Sequence, residues 1–166
     1  MDKNLEAWMA SCGAGAVEKK IYSQPVVVWL LRIFFVAFGV WALWHGQHAS
    51  SLIERVVDYL LLALALWRLA HQGQVQVVLC TKGIVLRRRP LNMRELFESW
   101  YNTELLYTYI NYEAIVGFNK DWNQVQVMNP STGGIILMDI ELQFVTYSDK
   151  MSILNYIKSK NEETQA

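Results

Sequence analysis

Apolar side chains occupy the first half of the chain in two long runs and the second half in short ones broken by turn residues, and the two patterns predict different structures. Pro25 to Trp44, PVVVWLLRIFFVAFGVWALW, holds one charge in twenty residues. As a helix rising about 1.5 Å per residue it covers the roughly 30 Å of a hydrocarbon core. Trp29, Trp41 and Trp44 lie toward its ends, where indole rings favour headgroup level, and Pro25 suits a first helical turn. A second run, Leu52 to Ala70, has Glu54 and Arg55 near its start and Arg68 near its end, positions from which charged side chains reach water. The pattern predicts a transmembrane helical hairpin over residues 25–72, with helices at 25–45 and 52–70 and a short loop from His45 to Ser51. Residues 1–24 read as a separate N-terminal segment.

From Gln74 the periodicity shortens. Val75–Cys80 and Ile84–Arg87 are β-rich and flank Thr81-Lys82-Gly83, a hairpin in which glycine would supply a positive φ. Ile110–Phe118, Gln124–Met128 and Ile135–Val145 follow, divided by Asn119–Asn123 and Asn129–Gly134, both rich in turn residues. A helix closes the domain, with Ser148 as its N-cap and Met151, Ile153, Leu154 and Ile157 as its apolar stripe. Residues 161–166 read as a disordered tail. Strands followed by one amphipathic helix predict an open β sandwich or barrel plugged by that helix, so residues 74–160 are expected to fold on their own. Between Pro90 and Tyr109 a helix interrupts the strands: Met93, Leu96, Phe97, Trp100 and Tyr101 follow i, i+3, i+4, i+7, i+8 spacing. That stripe is a candidate partner-binding surface, with docking on its own domain and lying in the headgroup layer as the alternatives.

The chain resembles the bacterial small membrane proteins that carry two N-terminal helices and a cytoplasmic pleckstrin-homology-like (PH-like) domain. The resemblance lies in Lys20-Ile-Tyr-Ser23, Phe35-Val-Ala-Phe-Gly-Val-Trp41, Thr81-Lys-Gly-Ile84 and Ile110-Asn-Tyr-Glu-Ala-Ile115, and it covers about residues 18 to 158. It implies a membrane α + β protein, a two-helix transmembrane hairpin followed by a PH-like domain, at the bacterial inner membrane. It also implies a binding or scaffolding role with no chemistry of its own. An immunity or regulatory protein acting on another membrane component is the alternative.

Charge adds orientation. Lys3, Lys19 and Lys20 precede the first helix, Lys82, Arg87, Arg88 and Arg89 follow the second, and Arg55 alone lies near the loop. Basic flanks resist translocation, so both termini are expected in the cytoplasm. In PH-like domains the first hairpin borders the headgroup pocket, which makes Lys82, Arg87, Arg88 and Arg89 the candidate lipid-facing residues. Arg32 and Asp58 are charges inside the two spans, expected to pair or to snorkel to opposite surfaces. Fifteen basic and fifteen acidic residues cancel, so nothing in the balance calls for nucleic acid. Expected partners are membrane lipid, another membrane protein or a second copy. Cys12 and Cys80 form no CxxC, His45 and His48 have no acid or cysteine nearby in sequence, and GxSxG, HExxH and GxxxxGK[ST] do not occur. No metal, cofactor or catalytic group is expected.

Overall fold

The computed structural model describes residues 3–70, 75–99 and 101–165. It forms two compact units, Gln24–Gln74 and, on either side of it in the chain, Met1–Ser23 with Val75–Ala166. The second unit is mixed helix and sheet. Its first sheet is antiparallel in the order β1 (Val17–Tyr22), β2 (Val75–Cys80), β3 (Gly83–Arg87), β4 (Tyr107–Asn111). A three-stranded antiparallel sheet, β5 (Ile115–Phe118), β6 (Gln124–Met128) and β7 (Ile135–Asp139), completes it with helices α1 (Lys3–Ser11) and, at the C-terminus, α5 (Tyr147–Gln165).

Every residue of β2 is buried, because both faces of the first sheet are covered. Val77 and Leu79 point with Ile21, Ile84 and Leu86 into a core shared with Val125 of β6 and Ile153 and Ile157 of α5. Val78, Cys80 and Val85 point the other way, onto Leu5 and Met9 of α1. A strand buried on both faces reads as a continuous apolar run instead of an alternating one, which is the pattern of VQVVLC.

In the first unit, α2 (Pro25–His48) and α3 (Leu52–Ala70) are joined by three residues and pack along each other. Their contacts run in opposite order: Gly39 lies against Leu62 and Ala65, Gly46 against Asp58 and Tyr59. The residues of α2 buried by this packing are Gly39, Ala42 and Gly46, small side chains on one helical face that let two backbones approach. A Cβ at Gly46 would lie 3.1 Å from that of Asp58, so this is a tight crossing. Among the described residues, α2 is the one helix long and apolar enough to cross a membrane by length and composition.

Five expectations need correction. Val17–Tyr22, expected in a segment apart from the soluble domain, is the first strand of its sheet, and α1 covers that sheet. Ile110–Phe118 is not one strand: a short 3-10 turn at Tyr112–Ala114 passes the chain from the first sheet to the second, held by the Tyr112 hydroxyl, which donates to the Cys80 carbonyl at 2.6 Å. Gly83 does not have a positive φ; it is required because a Cβ there would come within 2.6 Å of the Ile110 carbonyl and the Tyr109 ring. Thr146, not Ser148, caps α5, accepting the Asp149 N–H at 3.1 Å. Helix α5 also runs on to Gln165 through the expected disordered tail.

The register generates the first prediction. Tyr22 is the ladder partner of Val75, so the whole helical unit is an insertion between neighbouring strands. Joining residues 1–23 to 75–165 through a Gly-Asn turn of about four residues should give a soluble, cooperatively melting domain. Residues 75–165 alone lose the buried side chains of Leu5, Met9 and Ile21, at about 1.5–3 kcal/mol each. Against a total stability of about 5–15 kcal/mol, that fragment should melt without cooperativity. Thermal unfolding of the joined domain and the fragment side by side checks both outcomes.

Candidate functional site

The sheet register sorts the candidate residues by end. At one end lie Tyr22, Val75, Arg87 and Tyr107; at the other lie Val17, Cys80, Gly83 and Asn111. The first is the insertion end, where the chain leaves for the helical unit and returns from it. Strands of five residues separate the two ends by about 16 Å.

The four basic candidates do not form one cluster. Lys82 sits in the turn before β3, at the far end from the insertion, whereas Arg87, Arg88 and Arg89 are at the insertion end. Arg87 is an ion-pair partner of Glu141, with Nε to Oε2 at 3.3 Å. Arg88 pairs with Glu95. Their side chains are only 13% and 18% exposed, so neither presents a free charge to solvent. Arg89 is exposed and donates to Gln143 Oε1 at 3.2 Å.

Helix α4 (Met93–Glu98) starts at Asn92, whose Oδ1 accepts the Glu95 N–H at 2.8 Å, an ordinary side-chain N-cap. The expected three-turn helix is shorter than its spacing suggested, and its stripe is half-buried at Leu96 and exposed at Met93 and Phe97. Glu95 and Leu96 are half-buried and Ser99 is buried. Met93 is 64% exposed, Phe97 53%, Tyr101 84% and the preceding Leu91 79%; Trp100 lies outside the described residues. Glu95 takes the Arg88 guanidinium and the Leu91 N–H, the latter at 2.5 Å, which ties α4 to the end of β3, while Arg94 and Glu98 stay exposed. The hydrogen bonds from Arg88 and then from Leu91 hold its carboxyl below the usual glutamate range. Glu98 is joined to Arg94 at 2.7 Å.

Arg32 and Asp58 do not pair with each other. Asp58 is buried, and its Oδ2 lies 2.7 Å from His45 Nδ1, a donor–carboxylate distance. The guanidinium of Arg32 stands 5.6 Å from the Trp29 ring centroid. His45 was expected in the loop; α2 instead continues through His48, whose Nδ1 meets the Trp44 carbonyl at 2.8 Å. The pairing of His45 with Asp58 was not legible in the sequence, since it needs the helix crossing at Gly46.

A polar cavity of about 360 Å³ lies at the far end of the sheet, lined by Thr81, Lys82, Asn111, Tyr112, Glu113, Lys160 and Glu163. Its two lysines and two glutamates balance, and Lys160 is tied to Glu163 at 3.0 Å. Burial pushes the Tyr112 phenol up, well out of reach of physiological titration. Compared with family models, with curated proteins and with solved structures, the chain matches none.

Glu95 is therefore the residue that decides how α4 is presented. Glu95→Gln should destabilise the segment 91–99 by about 1–3 kcal/mol, since a half-buried Arg88 loses its carboxylate. Amide hydrogen exchange should quicken there and not in β2. The sign of the pH dependence follows from the lowered carboxyl value: protection of α4 is complete above the ordinary glutamate value and is lost as pH falls through the lowered one.

Proposed function

We propose that this chain is a membrane-anchored, non-catalytic binding or scaffold protein whose PH-like domain sits on the cytoplasmic face of a bacterial inner membrane. The observation that carries the reading is the pairing of Tyr22 with Val75. Ladder partners stand about 5 Å apart, so a helical unit inserted between them must begin and end at one place. If α2 crosses a bilayer, the chain has to cross back, and α3 is the element available for it. At nineteen residues, α3 rises about 28 Å, close to the thickness of a hydrocarbon core. Its charges fit such a span: Glu54, Arg55 and Arg68 are near its ends, and Asp58 is turned onto His45 of α2.

The outward faces support the same reading. Val26, Leu30, Ile33 and Val40 of α2, and Ile53, Leu60 and Leu66 of α3, are all exposed. A contiguous apolar surface of this extent needs cover, and lipid supplies it for a helix pair that has satisfied its own backbone. The place of β1 in the sheet supports an anchor over a cleaved leader, since cleavage after α2 would remove that strand. Four strands, then three, then a C-terminal helix is the order that supports the PH-like assignment. Asp58 and Glu95 hold elements together through His45 and Arg88, which favours presentation of a surface.

Labelling of intact cells with a membrane-impermeant thiol reagent tests the topology. Ser50→Cys, in the loop between α2 and α3, should react from outside. Lys158→Cys on α5 should react only after permeabilisation. Reaction of Lys158→Cys in intact cells would overturn the proposed orientation.

A further inference from the structure

We propose that Leu91 and α4 form a lipid-docking foot, which seats the domain on the surface of the leaflet that α2 enters. The inference rests on the reading of α2 as a membrane span. Between Tyr22 and the first helical residue, Pro25, the chain has only Ser23 and Gln24. Three residue steps reach at most about 11 Å, so the insertion end of the sheet is held close to whatever surface α2 enters. The loop carrying α4 springs from that same end, between Arg87 of β3 and Tyr107 of β4, which are ladder partners.

What α4 presents there is apolar and aromatic. Leu91, Met93, Phe97 and Tyr101 are each more than half exposed. Phe144 and Tyr147 are exposed in the neighbouring segment, which Arg89 ties to this end through Gln143. The two acids of α4 are engaged, Glu95 by Arg88 and Glu98 by Arg94. Arg89 and Arg94 remain exposed at the margin, placed to meet lipid phosphates. Apolar and aromatic side chains flanked by arginines suit the boundary between headgroups and acyl chains. The far end of the sheet, with Lys82 and the balanced polar cavity, is left facing the aqueous side.

The test uses the full chain in phosphatidylethanolamine–phosphatidylglycerol vesicles, with a fluorescent bimane attached at one introduced cysteine. Cys12→Ser removes the half-buried native thiol, and Cys80 is fully buried. Labels go at Val36→Cys in α2, at Tyr101→Cys beside α4, and at Lys82→Cys at the far end. Brominated lipids report contact with the bilayer, and iodide reports contact with water. The expected result is lipid quenching at Val36 and Tyr101 and iodide quenching at Lys82. Adding Leu91→Asp and Met93→Asp, both at exposed positions, should return the Tyr101 label to the iodide accessibility of Lys82.

Iodide quenching at Tyr101 equal to that at Lys82, with Val36 still quenched by lipid, overturns the foot and leaves the anchor standing. A Tyr101 label shielded from iodide yet not quenched by lipid overturns it too, because protein would then be the cover. An iodide-accessible Val36 overturns the anchor and the foot together. An unchanged Tyr101 signal in the double aspartate variant removes α4 as the seat.

Discussion

Everything in this molecule depends on the ladder between Tyr22 and Val75. Two strands that are neighbours in space are separated in sequence by the whole helical unit. Closing so long a loop is costly in chain entropy for a flexible segment, and the cost grows slowly with length. Here the insert brings its own ends together, because α2 and α3 fold back on each other through Gly39, Ala42 and Gly46. The small residues of α2 thus serve the sheet as well as the helix pair. They make a helical hairpin whose two free ends can join adjacent β-strands.

The sheet is in turn locked from outside the ladder. Tyr156 of α5 donates its hydroxyl to Glu18 of β1, and Lys160 approaches the same carboxylate at 4.0 Å. Burial, followed by the Glu18 hydrogen bond, pushes the Tyr156 phenol up, so it remains a proton donor at any physiological pH. The C-terminal helix therefore holds the N-terminal strand, and α1 holds the other face of the sheet. A strand made of Val-Glu-Lys-Lys-Ile-Tyr, with one buried side chain at Ile21, would have little reason to stay paired without these contacts.

Charge placement follows one rule throughout the described residues that matter here. Acids near apolar surfaces are paired inward: Asp58 with His45, Glu95 with Arg88, Glu141 with Arg87. Apolar side chains on α2, α3 and α4 are left outward. Exposed ion pairs contribute little to stability, but the Arg88–Glu95 pair is mostly sheltered. It ties α4 to the end of β3 through Glu95, while Met93 and Phe97 of the apolar stripe stay more than half exposed.

The sequence by itself determined the elements with strong local signals. The apolar run of α2 follows from length and composition, and β2, β3, β6 and the turn at Asn129–Gly134, where Gly133 has a φ of +67°, follow from periodicity and turn chemistry. Helix α4 was legible from its i, i+3, i+4 spacing, though not the way it faces. Tertiary structure alone decided the rest. Val17–Tyr22 carries Glu, Lys and Lys between its apolar ends and joins the domain only because Val75–Cys80 offers it an edge. The break at Tyr112 exists because its hydroxyl is drawn to the Cys80 carbonyl, far away in sequence. Likewise, the separation of Lys82 from Arg87, Arg88 and Arg89, and the capture of Asp58 by His45, come from register and helix crossing. Periodicity reads only a residue's near neighbours along the chain; which distant residue neutralises a charge, and which face of an element is left bare, are set by contacts that form across it.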